Sequence, residues 1–403
     1  MTTIHLQEMR DPTVGETAVE IVERKGLGHP DTICDNVMEH ISHALSRAYL
    51  EHFGVVLHHN CDKGLLVAGQ VGRRLGGGRV IKPMRLIIGD RATTSVGDKR
   101  VEVAEIAIEA AREWFRQHLH RVDPDRHLRY QVELKPGSEE LMGLFTARHG
   151  VLGANDTSAA VGYAPLSETE RLVLETERYL NSPAFKARFP ETGEDVKVMG
   201  VRTGMRLDLT VAMPLLDRYV LSETEYFRRK EAVHGDLLAH LRHHLWQLQE
   251  VTLQLNTLDR QGAGLAGMYL SVLGTSAEDA DSGEVGRGNQ VNGLIALNRP
   301  RGSEAAAGKN PVSHVGKIYS VLSHQLAHKL HTHIPALQEV VVWLCSRIGA
   351  PIDQPQMISV QVHLQAGVTL ADVIPTIQQT VQDELSRMPA FCQELAAGRY
   401  AVC

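Results

Sequence analysis

Cysteine is scarce and scattered. Cys34, Cys61, Cys345, Cys392 and Cys403 are the whole supply in 403 residues, and no two form a CxxC pair. Neither a disulfide framework nor a zinc ribbon is indicated, and a reducing cytoplasm fits best. No apolar run approaches the roughly 20 residues that cross a bilayer, and the start Met1-Thr2-Thr3-Ile4 lacks the form of a secretory signal. No membrane partner is therefore expected. Basic residues (42) are fewer than acidic ones (48), and the net charge of −6 argues against general nucleic-acid binding. A polyanionic substrate would need a local cluster of Lys and Arg to overcome that repulsion. A GxSxG elbow, a Cys–His nucleophile signature and an HExxH pair are all missing. Gly262, Gly264 and Gly267 spell GxGxxG but run into a strand-like stretch, which fails the dinucleotide pattern. Gly302 to Asn310 fails as a phosphate-binding P-loop, because its glycines are misspaced and Asn310 stands where Ser or Thr is required.

An apolar content of 43% with 22% charged residues describes a globular protein, and the length predicts two or three domains. The most informative stretch is Lys25-Gly26-Leu27-Gly28-His29-Pro30-Asp31, followed by Asp35. It joins a strand-like run, Ala18 to Val22, to a helix expected from about Asp31 to Phe53. In that helix Ile33, Val37, Ile41, Leu45 and Tyr49 recur every four residues. Histidine, basic residues and two aspartates thus gather at a helix N-terminus, which favours anions. The alternative is a plain capped helix, with Asp31 as N-cap and Asp35 as a first-turn charge.

Strands are expected at Val55 to His59, Leu65 to Val71, Val80 to Ile88 and Leu128 to Leu134, with a helix from Lys99 to His118. The theme recurs with helices near Ser167, from Ser222 to Gln249 and from Ser313 to His333, and with a strand from Met268 to Leu273. A last helix follows from Thr369. Sheet plus helices occurs about three times without a literal repeat. The expected fold is α+β, three intertwined sheet-plus-helix domains in a pseudo-threefold arrangement. Soft boundaries fall at 1–135, 136–250 and 251–403, with segments free to interchange.

The segment Gly274 to Asn289 carries Glu278, Asp279, Asp281 and Glu284 before the glycine-flanked Arg287. It could hold Mg²⁺ beside a phosphate-binding guanidinium, or be an acidic surface loop. Gly308-Lys309 stands just ahead of a helix start with His314 and Lys317 near, a phosphate clamp or a solvated entry. Asp156 could bind a hydroxyl or amine, or make an Asx-turn. Asp62, Lys63 and Gln70 are similar, Gly137 and Ser138 could cradle a nucleotide, and Lys197 is a lone basic residue in a strand-like run. Together these groups are an inventory for positioning and neutralising phosphates.

In this order the segments Glu23 to Asp31, His59 to Lys63, Ala154 to Ser158, Gly274 to Glu278, Val285 to Asn289 and Gly308 to Pro311 resemble the archaeal-type S-adenosylmethionine synthetases, or methionine adenosyltransferases. The resemblance runs from about Gly15 to the end. It implies a homodimer or higher homo-oligomer with active sites between subunits. It further implies ATP and methionine as substrates and Mg²⁺ as cofactor; the bacterial and eukaryotic relatives also use K⁺, which is an open candidate for this chain. It places His29 at the bond between C5′ and the α-phosphate, Asp31 and Asp281 on Mg²⁺, and Arg287 and Lys309 on the phosphates with His314 or Lys317. Lys197 joins that group. Asp156 and Gln70 are implied to hold methionine, and Asp62 either methionine or a cation. Two departures stand out: Gly288 follows Arg287 where the bacterial and eukaryotic branch has lysine, and Asp62 replaces a glutamate tied to potassium. A non-catalytic polyphosphate-binding protein and a Mg-dependent phosphohydrolase are the alternative functions on the same residues.

Overall fold

A computed structural model describes residues 3–137 and 152–403. Its three main sheets repeat one topology, and that repetition is the pseudo-threefold arrangement expected above. In the first unit the helix Pro30–Phe53 leads to an antiparallel pair, His59–Val67 with Met84–Ala92. The helix Val103–His118 then crosses over to Leu128–Lys135, which pairs parallel to Met84–Ala92. The second unit runs the same way: helix Glu168–Leu180, antiparallel Lys197–Thr203 and Arg206–Ala212, helix Glu223–His243, parallel Glu250–Leu255. In the third, helix Val315–His333 precedes antiparallel Leu337–Cys345 and Met357–Leu364, and helix Leu370–Ser386 follows. Its last parallel strand comes from the other end of the chain, Ile4–Glu8.

Each unit also borrows an antiparallel strand beside the first strand of its pair. These are Gly283–Glu284, Val19–Lys25 and Ala159–Ala164 respectively. The long irregular segment after Leu273 is therefore a stitch. Gly283–Glu284 joins the first sheet, Ile295–Ala296 joins the second beside Val19–Lys25, and Ala306 and Ala307 enter the third core.

Alternation explains where each core lies. In the first sheet Leu66, Leu86 and Leu128 are buried with Ile33, Val37, Ile41 and Leu45 of the opening helix, as the four-residue spacing predicts. The alternate residues Leu65, Arg85, Gln131 and Glu133 are exposed, so one sheet face is uncovered.

Several element limits differ from expectation, each for a physical reason. The strand expected from Val80 to Ile88 is split into Arg79–Lys82 and Met84–Ala92, because Pro83 has no N–H for the ladder. The helix expected to reach Gln249 stops at His243. The Glu168 carboxylate takes the N–H groups of Trp246, Gln247 and Leu248 and holds them in a turn. Val55 to His58 lies outside the strand that begins at His59, and the strand expected from Met268 to Leu273 shrinks to Leu270–Ser271. There Glu278, from the following turn, accepts hydrogen bonds from Val272 and Leu273 N–H and competes with sheet pairing. Among the described residues no helix is long and apolar enough to cross a membrane.

Candidate active site

The turn that ends Val19–Lys25 is laced to the strand beside it. Gly26 N–H donates to Val196 O (2.7 Å) and Gly28 N–H to Glu194 O (3.0 Å). A Cβ at Gly28 would strike the Glu194–Asp195 backbone, so glycine is required by close approach. The turn delivers His29 to the N-cap of the helix, with Pro30 at its first position. His29 Nδ1 accepts the Asp31 N–H at 3.2 Å, which leaves the ring proton on Nε2. Burial lowers the imidazole to about 4 against the pull of Asp31, and Lys25 and Lys197 push the same way as burial. The group is a neutral N–H donor.

Asp31 is accordingly not the N-cap. Its carboxylate turns to the glycine-rich loop, where Oδ1 accepts Glu284 N–H (3.0 Å) and Oδ2 binds Lys25 Nζ (2.9 Å). Lys25 Nζ also donates to Arg287 O at 2.6 Å. The Arg287 side chain is exposed and forms no ion pair among the described residues.

Asp35, read above as a helix-start charge, is corrected here: it is buried, with Oδ1 accepting Gly286 N–H at 2.8 Å. Its Oδ2 lies against Gly288 without a hydrogen-bond partner of good geometry, and any Cβ at 288 would overlap it. That contact explains glycine after Arg287. Burial raises the Asp35 carboxyl from 3.8 to about 7, with Asp31 adding to the rise and Gly286 N–H and Lys25 opposing it. A folded pKa above the unfolded one gives stability that is full below pH 3.8 and is lost as pH rises through about 7. Asp35→Asn cannot ionise and escapes that loss. It should gain on the native protein by on the order of 3 kcal/mol between pH 5 and pH 8 in metal-free buffer. Urea unfolding at both pH values checks this, and a constant difference would refute it.

A second wall of the same site comes from the strand Lys197–Thr203. Lys197 Nζ lies 3.0 Å from Glu23 Oε1. Asp195 is buried, and its Oδ2 accepts both N–H (2.7 Å) and Oγ–H (2.5 Å) of Ser276. Burial raises it to about 6. The four acids of the loop have separate roles. Glu278 braces the loop itself, Asp279 pairs with Arg73, and Asp281 and Glu284 are left exposed. Asp281 is close enough for its charge to act on both His29 and Asp195.

The remaining residues form a second group. Lys309 Nζ is buried between Asp62 Oδ2 (2.6 Å) and Glu304 Oε2 (3.2 Å). Asp62 Oδ1 also binds Lys63 Nζ (2.6 Å) and Asn60 Nδ2 (3.0 Å). Burial alone would raise the Asp62 carboxyl, but the Lys309 and Lys63 ammonium groups hold it far below its usual range. His314 repeats the His29 arrangement as N-cap of Val315–His333, its Nδ1 accepting Gly316 N–H at 3.1 Å. Burial, then Lys309, lowers it to about 3. Lys317 is fully buried on Glu39. Asp156 accepts Thr157 N–H (2.7 Å) in its turn, and Asn155 Oδ1 accepts Val315 N–H (3.3 Å), which puts that turn beside His314.

Gln70 is exposed, paired to Lys82, next to Gly69 whose N–H donates to Ala277 O. It therefore stands by the acidic loop, not among apolar side chains. Gly137 packs on His58 with no room for a Cβ, and Ser138 lies outside the described residues. A cavity of about 610 Å³ runs between the two groups, lined by Lys25, Asp35, Arg287 and Glu304 together with Ala305 to Ala307. His29 and Lys309 do not line it. Asp195, Glu39 and Glu304 escaped the sequence reading, in which Lys25 stood only as a basic residue of the Lys25–Asp31 stretch, and only the Asp195-x-Lys197 spacing at a strand start signalled one of the three.

Two helix-capping histidines thus stand beside lysine and carboxylate clusters, and comparison with known proteins decides the family. Residues 2–399 match the model of the S-adenosylmethionine synthetase (AdoMet synthetase) family. The chain belongs to that family. It is therefore a methionine adenosyltransferase, an enzyme of S-adenosylmethionine synthesis. An S-adenosylmethionine synthase of Aeropyrum pernix is 45% identical over 396 residues, 97% of each chain. A probable S-adenosylmethionine synthase of Aquifex aeolicus is 43% identical over 405 residues and covers 100% of each. A solved structure of an unusual S-adenosylmethionine synthetase from Campylobacter jejuni superposes with a TM-score of 0.61 over 94% of each chain. Its identity is 16%, so that likeness is one of fold.

Proposed function

We propose that the enzyme joins ATP and methionine by attack of the thioether sulfur on C5′ of ATP, then hydrolyses the tripolyphosphate to pyrophosphate and phosphate. The observation that carries this reading is His29, a neutral donor fixed at a helix N-terminus beside Lys25 and Lys197. A thioether carries no proton, so the nucleophile needs no general base. The barrier lies in the negative charge that grows on the leaving oxygen, and a preorganised N–H aimed there lowers it. His29 Nε2–H supplies that bond. Arg287, Lys197 and, from the second group, Lys309 and His314 hold the phosphates. Asp156 and Gln70 are assigned to methionine.

Asp31 and Asp281 suit Mg²⁺ by donor chemistry: both offer hard carboxylate oxygens, and Mg²⁺ takes one or two of these with phosphate oxygens completing its shell. Asp31 keeps lone pairs beyond those given to Glu284 N–H and Lys25. When bound, the ion neutralises phosphate charge. Asp62 already binds the ammonium groups of Lys309 and Lys63, so we read the reaction as independent of K⁺.

The charges acting on His29 are Asp31, Lys25, Lys197 and Asp281, whereas those acting on His314 are Lys309, Asp62, Lys317 and Lys63. Two disjoint sets in one chain, with an uncovered sheet face beside them, support sites completed between subunits of a cytoplasmic homo-oligomer. The test is chromatographic product analysis with ATP and Mg²⁺, with and without methionine and K⁺. Sulfonium product plus pyrophosphate and phosphate is expected. Phosphate release indifferent to methionine would indicate a phosphohydrolase, and ATP binding without turnover a binding protein.

A further inference from the structure

The loop that presents Lys309 is held from beneath through three of its backbone groups. Gly308 N–H donates to Glu39 Oε2 at 2.9 Å, Gly308 O accepts Cys61 N–H at 2.8 Å, and Lys309 O accepts Ser42 Oγ–H at 3.1 Å. Ser42 Oγ is itself 2.8 Å from His59 Nε2, and Asn310 Nδ2 donates to Leu57 O at 2.9 Å. Gly308 has a φ of +75°, and a Cβ there would overlap Cys61 O. The loop is thus fixed in a conformation that glycine alone accepts.

Glu39 is the charged member of this bracket. It stands two helical turns beyond Asp31 and is buried, and His43 Nε2 approaches its Oε1 at 2.9 Å. Its charge is balanced by Lys317, whose Nζ lies 2.8 Å from Oε1 and 2.7 Å from Oε2. Lys317 is fully buried, so its ammonium does not face solvent or a substrate. We propose that Glu39 is a positioning residue for the phosphate-binding Lys309, and that Lys317 serves as its buried counter-ion and not as a phosphate ligand. This rests on the reading of Lys309 as a polyphosphate ligand.

A buried carboxylate without its cation is left as an uncompensated charge, as is the cation without its carboxylate, and the Gly308 N–H that Glu39 holds shifts with it, so either single loss distorts the Gly308 turn. Removing both charges restores balance, and a glutamine at 39 still accepts the Gly308 N–H. The experiment measures binding of inorganic tripolyphosphate with Mg²⁺ by calorimetry, and kcat and KM for ATP. It uses the native enzyme, Lys317→Met and the double variant Glu39→Gln/Lys317→Met. The single variant should bind tripolyphosphate at least about 30-fold more weakly, and the double variant should return to within about 5-fold of native. A double variant as impaired as the single one, while folded by circular dichroism, overturns the proposal, because a lost phosphate ligand is not rescued by losing Glu39. Should Lys317→Met fail to fold, the folded double variant decides alone by the same two thresholds. Native protein that binds tripolyphosphate but makes no sulfonium product refutes the proposed reaction and leaves this comparison standing. Native protein that binds no tripolyphosphate overturns the positioning role.

Discussion

Lys309→Ala should abolish most turnover while leaving a folded protein. The ammonium has three N–H donors, and two are engaged by Asp62 and Glu304 in the ligand-free enzyme. A third remains for a phosphate oxygen. Loss of one preorganised donor to developing charge costs about 10²–10³ in kcat. Stability suffers less than a buried, unpaired carboxylate would suggest. Asp62 keeps hydrogen bonds to Lys63 and Asn60, and it can take up a proton once Lys309 no longer depresses its pKa. Stopped assays at saturating ATP, with denaturant unfolding of the same preparations, separate the two effects. If kcat falls less than about 5-fold, Lys309 is not a leaving-group ligand.

The fold was legible where a local pattern sufficed. The four-residue apolar rhythm of Ile33 to Tyr49 gave the helix, and the succession of strands and helices gave three units without any repeat in the letters. Limits that failed were set from outside the element, as when Glu168 caps the turn at Trp246 from 78 residues away. The site divides in the same manner. His29, Asp31, Arg287 and Lys309 sit in glycine-rich runs that advertise themselves. Glu39 looks like any polar residue on a helix, because its meaning depends on Lys317, 278 residues later. Asp195 depends on Ser276, 81 residues on. Asp35 misled for a related reason: its spacing suits a first-turn charge, and only the packed Gly286–Gly288 loop turns it into a buried acid.

His29→Asn is the sharper test of the chemistry, because it can keep the fold and remove only the reach of the donor. Asparagine ranks among the best N-caps, so the side chain can still accept a first-turn N–H, and helix stability should change by no more than about 1 kcal/mol. The Nε2–H is lost, and nothing in the shorter side chain carries a donor to the same point. Turnover should fall by about 10²–10³ with KM for ATP little changed, the pattern of an interaction formed mainly in the transition state. Hydrolysis of added tripolyphosphate should be affected less, since that step does not break the bond to C5′. Equal losses in both reactions would place His29 on the phosphates generally. An unaltered rate of sulfonium formation would remove it from the reaction.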